Sequence, residues 1–204
     1  MRMHIVIYMA YGMVNNMAVD ATRALYWLIE GNDEYILSEK NHKGDISPEK
    51  RLHTHHHGQN PYAVIVTCSD SRVIPESIFM TGIGDIFVIR LAGNVVADFG
   101  LGSIEYAVSH LGCKLVVVMG HTMCGAIHSA IEDHHHNFIS SIIKEIQFAI
   151  KDETDNTRAA KLNVYNTVSK ICKSNVIREE LDNGLRVIGS IYHTHSGHVE
   201  FFEK

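Results

Sequence analysis

Three side chains in this sequence could hold a metal ion and leave one coordination position free. Cys68 opens the string Cys68-Ser69-Asp70-Ser71-Arg72, and His121 and Cys124 frame His121-Thr122-Met123-Cys124. Two thiolates and one imidazole suit zinc better than magnesium, calcium or manganese. Three protein ligands on a tetrahedral ion leave a corner for water or substrate, which marks a catalytic zinc rather than a structural one. Cys124 stands where a helix is expected to begin, and a helix N-terminus favours the thiolate. A lone His-x-x-Cys would read as a core thiol and a capping histidine. The second string, also at a strand end, turns the reading toward metal. Asp70 and Arg72 arrive on the same turn as Cys68. Asp70 has two roles open to it: fourth ligand, which closes the site, or acceptor of a hydrogen bond from a metal-bound water. A forked pairing with Arg72 favours the second, because it holds the carboxylate ionised and away from the metal. A surface ion pair of little consequence is the bland alternative.

These residues need a scaffold that brings positions 68 and 121 together. Tyr62-Ala63-Val64-Ile65-Val66-Thr67 reads as a buried strand with Cys68 at its C-terminal end. Ile86-Phe87-Val88-Ile89 and Leu115-Val116-Val117-Val118-Met119 are two more strands, the last leading into Gly120-His121. Leu185–His193 is a fourth, and Gly197 is expected to turn the chain into a short antiparallel fifth, Val199–Phe202. Helical spacing runs through Ala18–Tyr35 (Ala24, Leu25, Leu28, Ile29) and through Gly102–Leu111 (Ile104, Ala107, Val108, Leu111). A helix is expected from Cys124 to about Glu132, and two or three helices within 138–182. Residues 38–60 read as polar and irregular. Strands apolar on both faces and alternating with helices predict an α/β domain. The expected architecture is a mainly parallel β-sheet of four to five strands flanked by helices, with an N-terminal helical arm. Residues 17–204 are read as a single domain, with the arm over 17–60 and the α/β core over 61–204. Ligands of such sheets bind beyond the carboxyl ends of the strands, where Cys68 and His121 fall.

Composition narrows the class further. The chain has 204 residues, 46% hydrophobic and 20% charged, with a formal net charge of −5. That balance gives no electrostatic reason to expect nucleic acid or an anionic membrane. No apolar run approaches the ~18 residues needed to span a bilayer. Residues 1–16 read as a leader without structure or an upstream start, rather than as a weak signal peptide. Cys113 and Cys172 read as ordinary, at least partly buried thiols, so no disulfide framework is expected and the cytoplasm is the expected compartment. Fifteen histidines are unusual. His53, His55, His56 and His57, and again His134, His135 and His136, read first as solvated faces, with proton relay as the alternative for the earlier cluster. His128 is expected to pack against its helix rather than bind metal.

Cys68-Ser69-Asp70-Ser71-Arg72-Val73, Arg90-x-Ala92-Gly93-Asn94, Gly102-Ser103-Ile104-Glu105-Tyr106-Ala107 and Gly120-His121-x-x-Cys124-Gly125-Ala126 together resemble the β-class carbonic anhydrases. The resemblance extends from about Ala24 to the C-terminus and is densest over 59–130. It implies one Zn2+ per chain on Cys68, His121 and Cys124, with Asp70 and Arg72 as the catalytic pair. Gln59, Phe87 and Tyr106 stand where the open, plant-like kind has a substrate-holding glutamine and two pocket aromatics. Ala92 and Gly93 would line the same pocket. In the family the glutamine and tyrosine come from a neighbouring subunit, so a homodimer or homotetramer with the site near its interface is implied.

The implied reaction is reversible hydration of CO2 to bicarbonate and a proton by a zinc-bound hydroxide. The implied partners are CO2 and bicarbonate, with neither nucleic acid nor membrane. One rival of the same site is hydrolysis of carbonyl sulfide or carbon disulfide. A rival of another class is an inactive, zinc-stabilised binding or sensor module, and a thiol-redox protein is weaker because no Cys-x-x-Cys occurs.

Overall fold

The β-branched runs become adjacent strands because they have no polar face to show to water. In the computed structural model, which describes residues 18–38, 44–134 and 137–203, Ala63–Thr67 forms β1, Ile86–Arg90 β2, Leu115–His121 β3, Arg186–Tyr192 β4 and Val199–Phe202 β5. Every residue of β1 and β3 is buried. The order across the sheet is β2-β1-β3-β4-β5. The first four strands are parallel, and β5 runs antiparallel to β4. The chain leaves β1 toward one side for β2, then returns to the other side for β3. That reversal opens a crevice at the carboxyl ends of β1 and β3.

Helices cover both faces. α1 (Ala21–Leu37) and the single-turn α3 (Pro75–Ile78) lie against one face, where Ala24, Leu28, Ile78 and Phe79 pack on Ile65, Val117 and Met119. α4 (Asp98–Ser109), α5 (Gly125–Ile131), α6 (Ile139–Ile150), α7 (Asn156–Ile171) and α8 (Asn175–Asp182) occupy the other. There Ile104, Ile127, Ile146 and Val164 meet Val64, Val66, Val116 and Val118. The α/β class, the five strands and their antiparallel end are those expected from sequence.

Several local expectations need correction. The buried stripe of α1 is Ala21, Ala24, Leu28, Gly31 and Asn32, while Ile29 faces outward. Gly31 belongs to it because a Cβ there would lie 2.0 Å from the carbonyl oxygen of Phe79. The polar stretch before β1 is not irregular throughout. It contains a ten-residue helix, α2 (Pro48–His57), with no buried residue. Ser47 caps it by accepting from the Lys50 N–H, Pro48 takes the first turn, and Gly58 ends it at φ 76°. α4 starts at Asp98, four residues earlier than expected. His128 is not packed against its helix. It is exposed and pairs with Glu132 one turn on, at 3.4 Å. The leader, His135 and His136 lie outside the described residues.

Candidate active site

The strand register delivers the three ligand candidates. Thr67 is level with Met119 across β1 and β3. Cys68 is therefore one residue past that level and His121 two, both at the carboxyl edge. His121 is still paired with Tyr192 of β4, so its backbone is held by the sheet itself. Cys124 follows after a turn in which Met123 takes a left-handed conformation (φ 55°), and it stands at the N-cap of α5. Cys68 Sγ, a His121 ring nitrogen and Cys124 Sγ all lie within 4.8 Å of one another, and all three residues are buried.

Each of the three is oriented by hydrogen bonds. His121 Nδ1 lies 3.0 Å from the Thr122 carbonyl oxygen. A carbonyl only accepts, so Nδ1 carries the proton and Nε2 presents its lone pair. Nε2 is fully buried and has no hydrogen-bond partner. Cys68 Sγ accepts from the N–H groups of Gly93 (3.3 Å) and Asp70 (3.4 Å). Cys124 exchanges two bonds with Asn156: its N–H donates to Oδ1 at 3.2 Å, and its carbonyl accepts from Nδ2 at 3.3 Å.

The thiols do not behave as helix position alone would suggest. The hydrogen bond from Cys124 pulls the Cys68 thiol down, against the cost of burial, with the backbone N–H groups of Asp70 and Gly93 adding to it. The hydrogen bond to Cys68, then burial, pushes Cys124 up despite the N–H groups at the start of α5. Of two adjacent sulfurs, one ionises first and opposes the second. Only a cation lets both be thiolates. A buried, unpartnered imidazole lone pair beside two sulfurs therefore fits a soft or borderline divalent ion, and zinc in particular.

Asp70 and Arg72 form the forked pair that the sequence suggested. Arg72 Nε and Nη2 donate to Asp70 Oδ1 and Oδ2 at 3.0 and 2.8 Å, and the Arg72 backbone N–H adds a third bond at 3.0 Å. These hold the Asp70 carboxyl well below the usual carboxylate range. Arg72 Nη2 also donates to the Met123 carbonyl at 3.1 Å, tying the two ligand loops together. Asp70 Oδ2 ends 3.8 Å from His121 Nε2. Arg90, part of one of the quoted strings but given no role there, secures this turn from behind. Its guanidinium donates to the carbonyls of Cys68 (3.2 Å) and Asp70 (2.7 Å).

The pocket residues divide into two places. Ala92 and Gly93 form a short 3-10 turn with Asn94 beside Cys68. Phe87 and Tyr106 touch each other, with ring centroids 6.4 Å apart, but Phe87 is level with Val64, four residues back from Cys68. That is about 13 Å along the sheet. Gln59 is exposed and lies against Gly84, before the start of β2 and therefore at the amino edge. One chain thus brings the metal group, Asp70, Arg72 and Gly93 together, and leaves Gln59, Phe87 and Tyr106 elsewhere. Asn156 and Asn163 were not anticipated. A single asparagine within a helix carries no signal in sequence.

The carbonic anhydrase family profile matches residues 63–199. The chain belongs to the β-carbonic anhydrase family. It is 43% identical to carbonic anhydrase 2 of Mycobacterium tuberculosis over 120 residues, a stretch covering 58% of this chain and 55% of that relative. Against the carbonic anhydrase of Mycolicibacterium smegmatis it is 33% identical over 202 residues, covering 92% of this chain and 95% of the other. Among solved structures it resembles the β-carbonic anhydrase CafA of Aspergillus fumigatus, with a TM-score of 0.70 at 27% identity over 89% of this chain and 88% of that one. A tetrameric β-carbonic anhydrase of Sordaria macrospora gives 0.67 at 26% identity, over 76% and 87% of the two chains. The fold of this chain is that of these β-carbonic anhydrase structures.

Proposed function

We propose that this chain is a zinc carbonic anhydrase that interconverts CO2 and water with bicarbonate and a proton. One observation carries the reading: Cys68, His121 and Cys124 converge within 4.8 Å of one another while Asp70, locked by Arg72, stands beside them. Zinc held there would act as a Lewis acid that brings the pKa of water from 15.7 to about 7. The rest falls to the chain's own residues. Asp70, kept ionised by Arg72, accepts a hydrogen bond from the attacking water and aims its lone pair at the carbon of CO2. Arg72 also restrains the carboxylate from becoming a fourth ligand, which supports the open, plant-like kind of site. The Gly93 turn and Ala92 wall the crevice next to Cys68.

Gln59, Phe87 and Tyr106 would complete the pocket from a second copy, with Gln59 donating to the developing bicarbonate oxygen. Their distance from Cys68 within one chain supports a homodimer or a homotetramer built from it. So does the exposed apolar surface around Phe99, which is 96% exposed, and Tyr106. No disulfide joins the four cysteines, and no described helix is long and apolar enough to cross a membrane. Cysteines kept as thiols support a cytoplasmic setting. The preserved Asp70–Arg72 pair weighs against an inactive binding module. The test is stopped-flow CO2 hydration together with elemental analysis, with carbonyl sulfide turnover alongside. Stoichiometric zinc and fast hydration are expected. Absence of either, or a preference for carbonyl sulfide, overturns the proposal.

A further inference from the structure

Asn163 is fully buried on α7, the helix that also gives Ala160, Val164 and Ile171 to the apolar core. Its Nδ2 donates to the Gly93 carbonyl at 2.7 Å. Its Oδ1 has no partner. Burying an amide with its oxygen unpaired costs stability, and an apolar side chain of the same volume would pack there more favourably. The amide's one visible task is therefore to hold Gly93.

Gly93 is worth holding. It sits at φ 64°, a conformation that L side chains rarely adopt. A Cβ there would come within 2.8 Å of Ile146 and 3.1 Å of Ala126. The residue is squeezed between the sheet edge and α5–α6 with its N–H aimed at Cys68 Sγ, 3.3 Å away. The Gly93 residue thus bridges two partners: the Asn163 amide on its carbonyl and the Cys68 sulfur on its N–H. One turn further along α7, Thr167 Oγ1 donates to the next carbonyl, that of Asn94, at 3.3 Å. That bond steadies the same turn but not the residue that faces sulfur.

We infer that Asn163 is a positioning residue for the Cys68 ligand, acting through the Gly93 N–H. A hydrogen bond to a thiolate stabilises the sulfur's lone pairs, so it sets how much charge the sulfur gives to a metal and how firmly the metal stays. Asn163 touches neither metal nor substrate. Its effect passes through one backbone residue. The inference rests on the metal reading above.

The test uses the full chain loaded with Cd2+, whose thiolate-to-metal charge-transfer band reports on the sulfurs directly. In Asn163→Ala the band should move to lower energy, because an electron leaves an unstabilised sulfur more readily. Release of Cd2+ to a chelator should become about tenfold faster. Asn163→Leu, close in volume, should do the same and keeps the measurement possible if the alanine cavity unfolds the chain. Thr167→Val should leave the band in place even if it melts earlier. A band unmoved in both Asn163 variants overturns the inference. So does faster release without a band shift, or a Thr167→Val shift as large as that of Asn163→Ala. Absence of any thiolate band in the unaltered protein overturns the metal reading itself, and the inference with it.

Discussion

Cys68, His121 and Cys124 meet inside one chain, whereas Gln59, Phe87 and Tyr106 stand toward the opposite end of the same sheet. The first group is fixed by strand register and short turns: two parallel strands end side by side, and each ligand follows within a few residues. It is buried, hydrogen-bonded and internally complete apart from the ion. The second group is half-buried or exposed, and Tyr106 stacks on His110, 5.2 Å away, rather than on anything near the metal group. If both groups serve one site, as the proposed function has it, its two halves answer to different constraints. The metal half must be preorganised before any ligand arrives, because buried sulfurs and an imidazole lone pair tolerate no misplacement. Under the proposed function, the substrate half only has to present side chains to a second copy, so an exposed surface serves.

The sharpest break of that comparison is removal of a ligand. Cys124→Ser should lose bound zinc and lower CO2 hydration by about three orders of magnitude or more, since water then reverts toward a pKa of 15.7. Stopped-flow rates and metal content check this together, and retained zinc with retained rate would dissolve the metal half. Next comes Asp70→Asn, which should keep zinc and lower turnover by about 10²–10³-fold, the range expected for a lost proton acceptor.

The substrate half is tested by mixing chains. Gln59→Ala should cost about a hundredfold, as for a lost donor to developing charge. Refolding Gln59→Ala with an equal amount of Cys124→Ser should restore about a quarter of the normal rate. Half the dimers are hybrids, and each hybrid has one site with both halves intact. A rate equal to the mean of the two variants would put Gln59 in its own chain's site and end the contrast between regions.

Smaller effects sharpen it further. His53 and His57 stack at 4.4 Å on the exposed face of α2, just before Gln59. Replacing His53, His55, His56 and His57 by Gln should leave turnover unchanged in strong buffer and lower it a few-fold (~2–3) in weak buffer, if the cluster relays protons. An unchanged rate in weak buffer leaves it a solvated face. The smallest effect is on stability. Arg72 depresses the Asp70 pKa in the folded state, so the stability this gives is present above the unfolded value of about 3.9 and lost as pH falls below it. The urea midpoints of unaltered protein and Arg72→Ala should differ by a constant amount above about pH 5 and converge below pH 4. A gap independent of pH would mean that Arg72 acts only through its bond to the Met123 carbonyl.

What could be read without coordinates follows from repetition. Val64 to Val66 and Val116 to Val118 announce buried strands because three or more β-branched residues in a row, with no polar position among them, have no other stable home. Cys68, His121 and Cys124 announce a metal because their chemistry is rare and their placement after strands is consistent. α2 went unread because its residues share no apolar stripe; only Ser47-Pro48 marked its start. α3 is a single turn, too short for any period. The ligand types, the acid pair and the alternating order of strands and helices were determined by the sequence alone, since each depends on residue identity and local pattern. Which strands lie side by side, which thiol ionises first, how Asn163 reaches Cys68 through Gly93, and why Phe87 lies level with Val64, four residues back from Cys68 along the sheet, were decided only by tertiary structure. Those depend on register and on contacts between residues tens of positions apart, which no local pattern encodes.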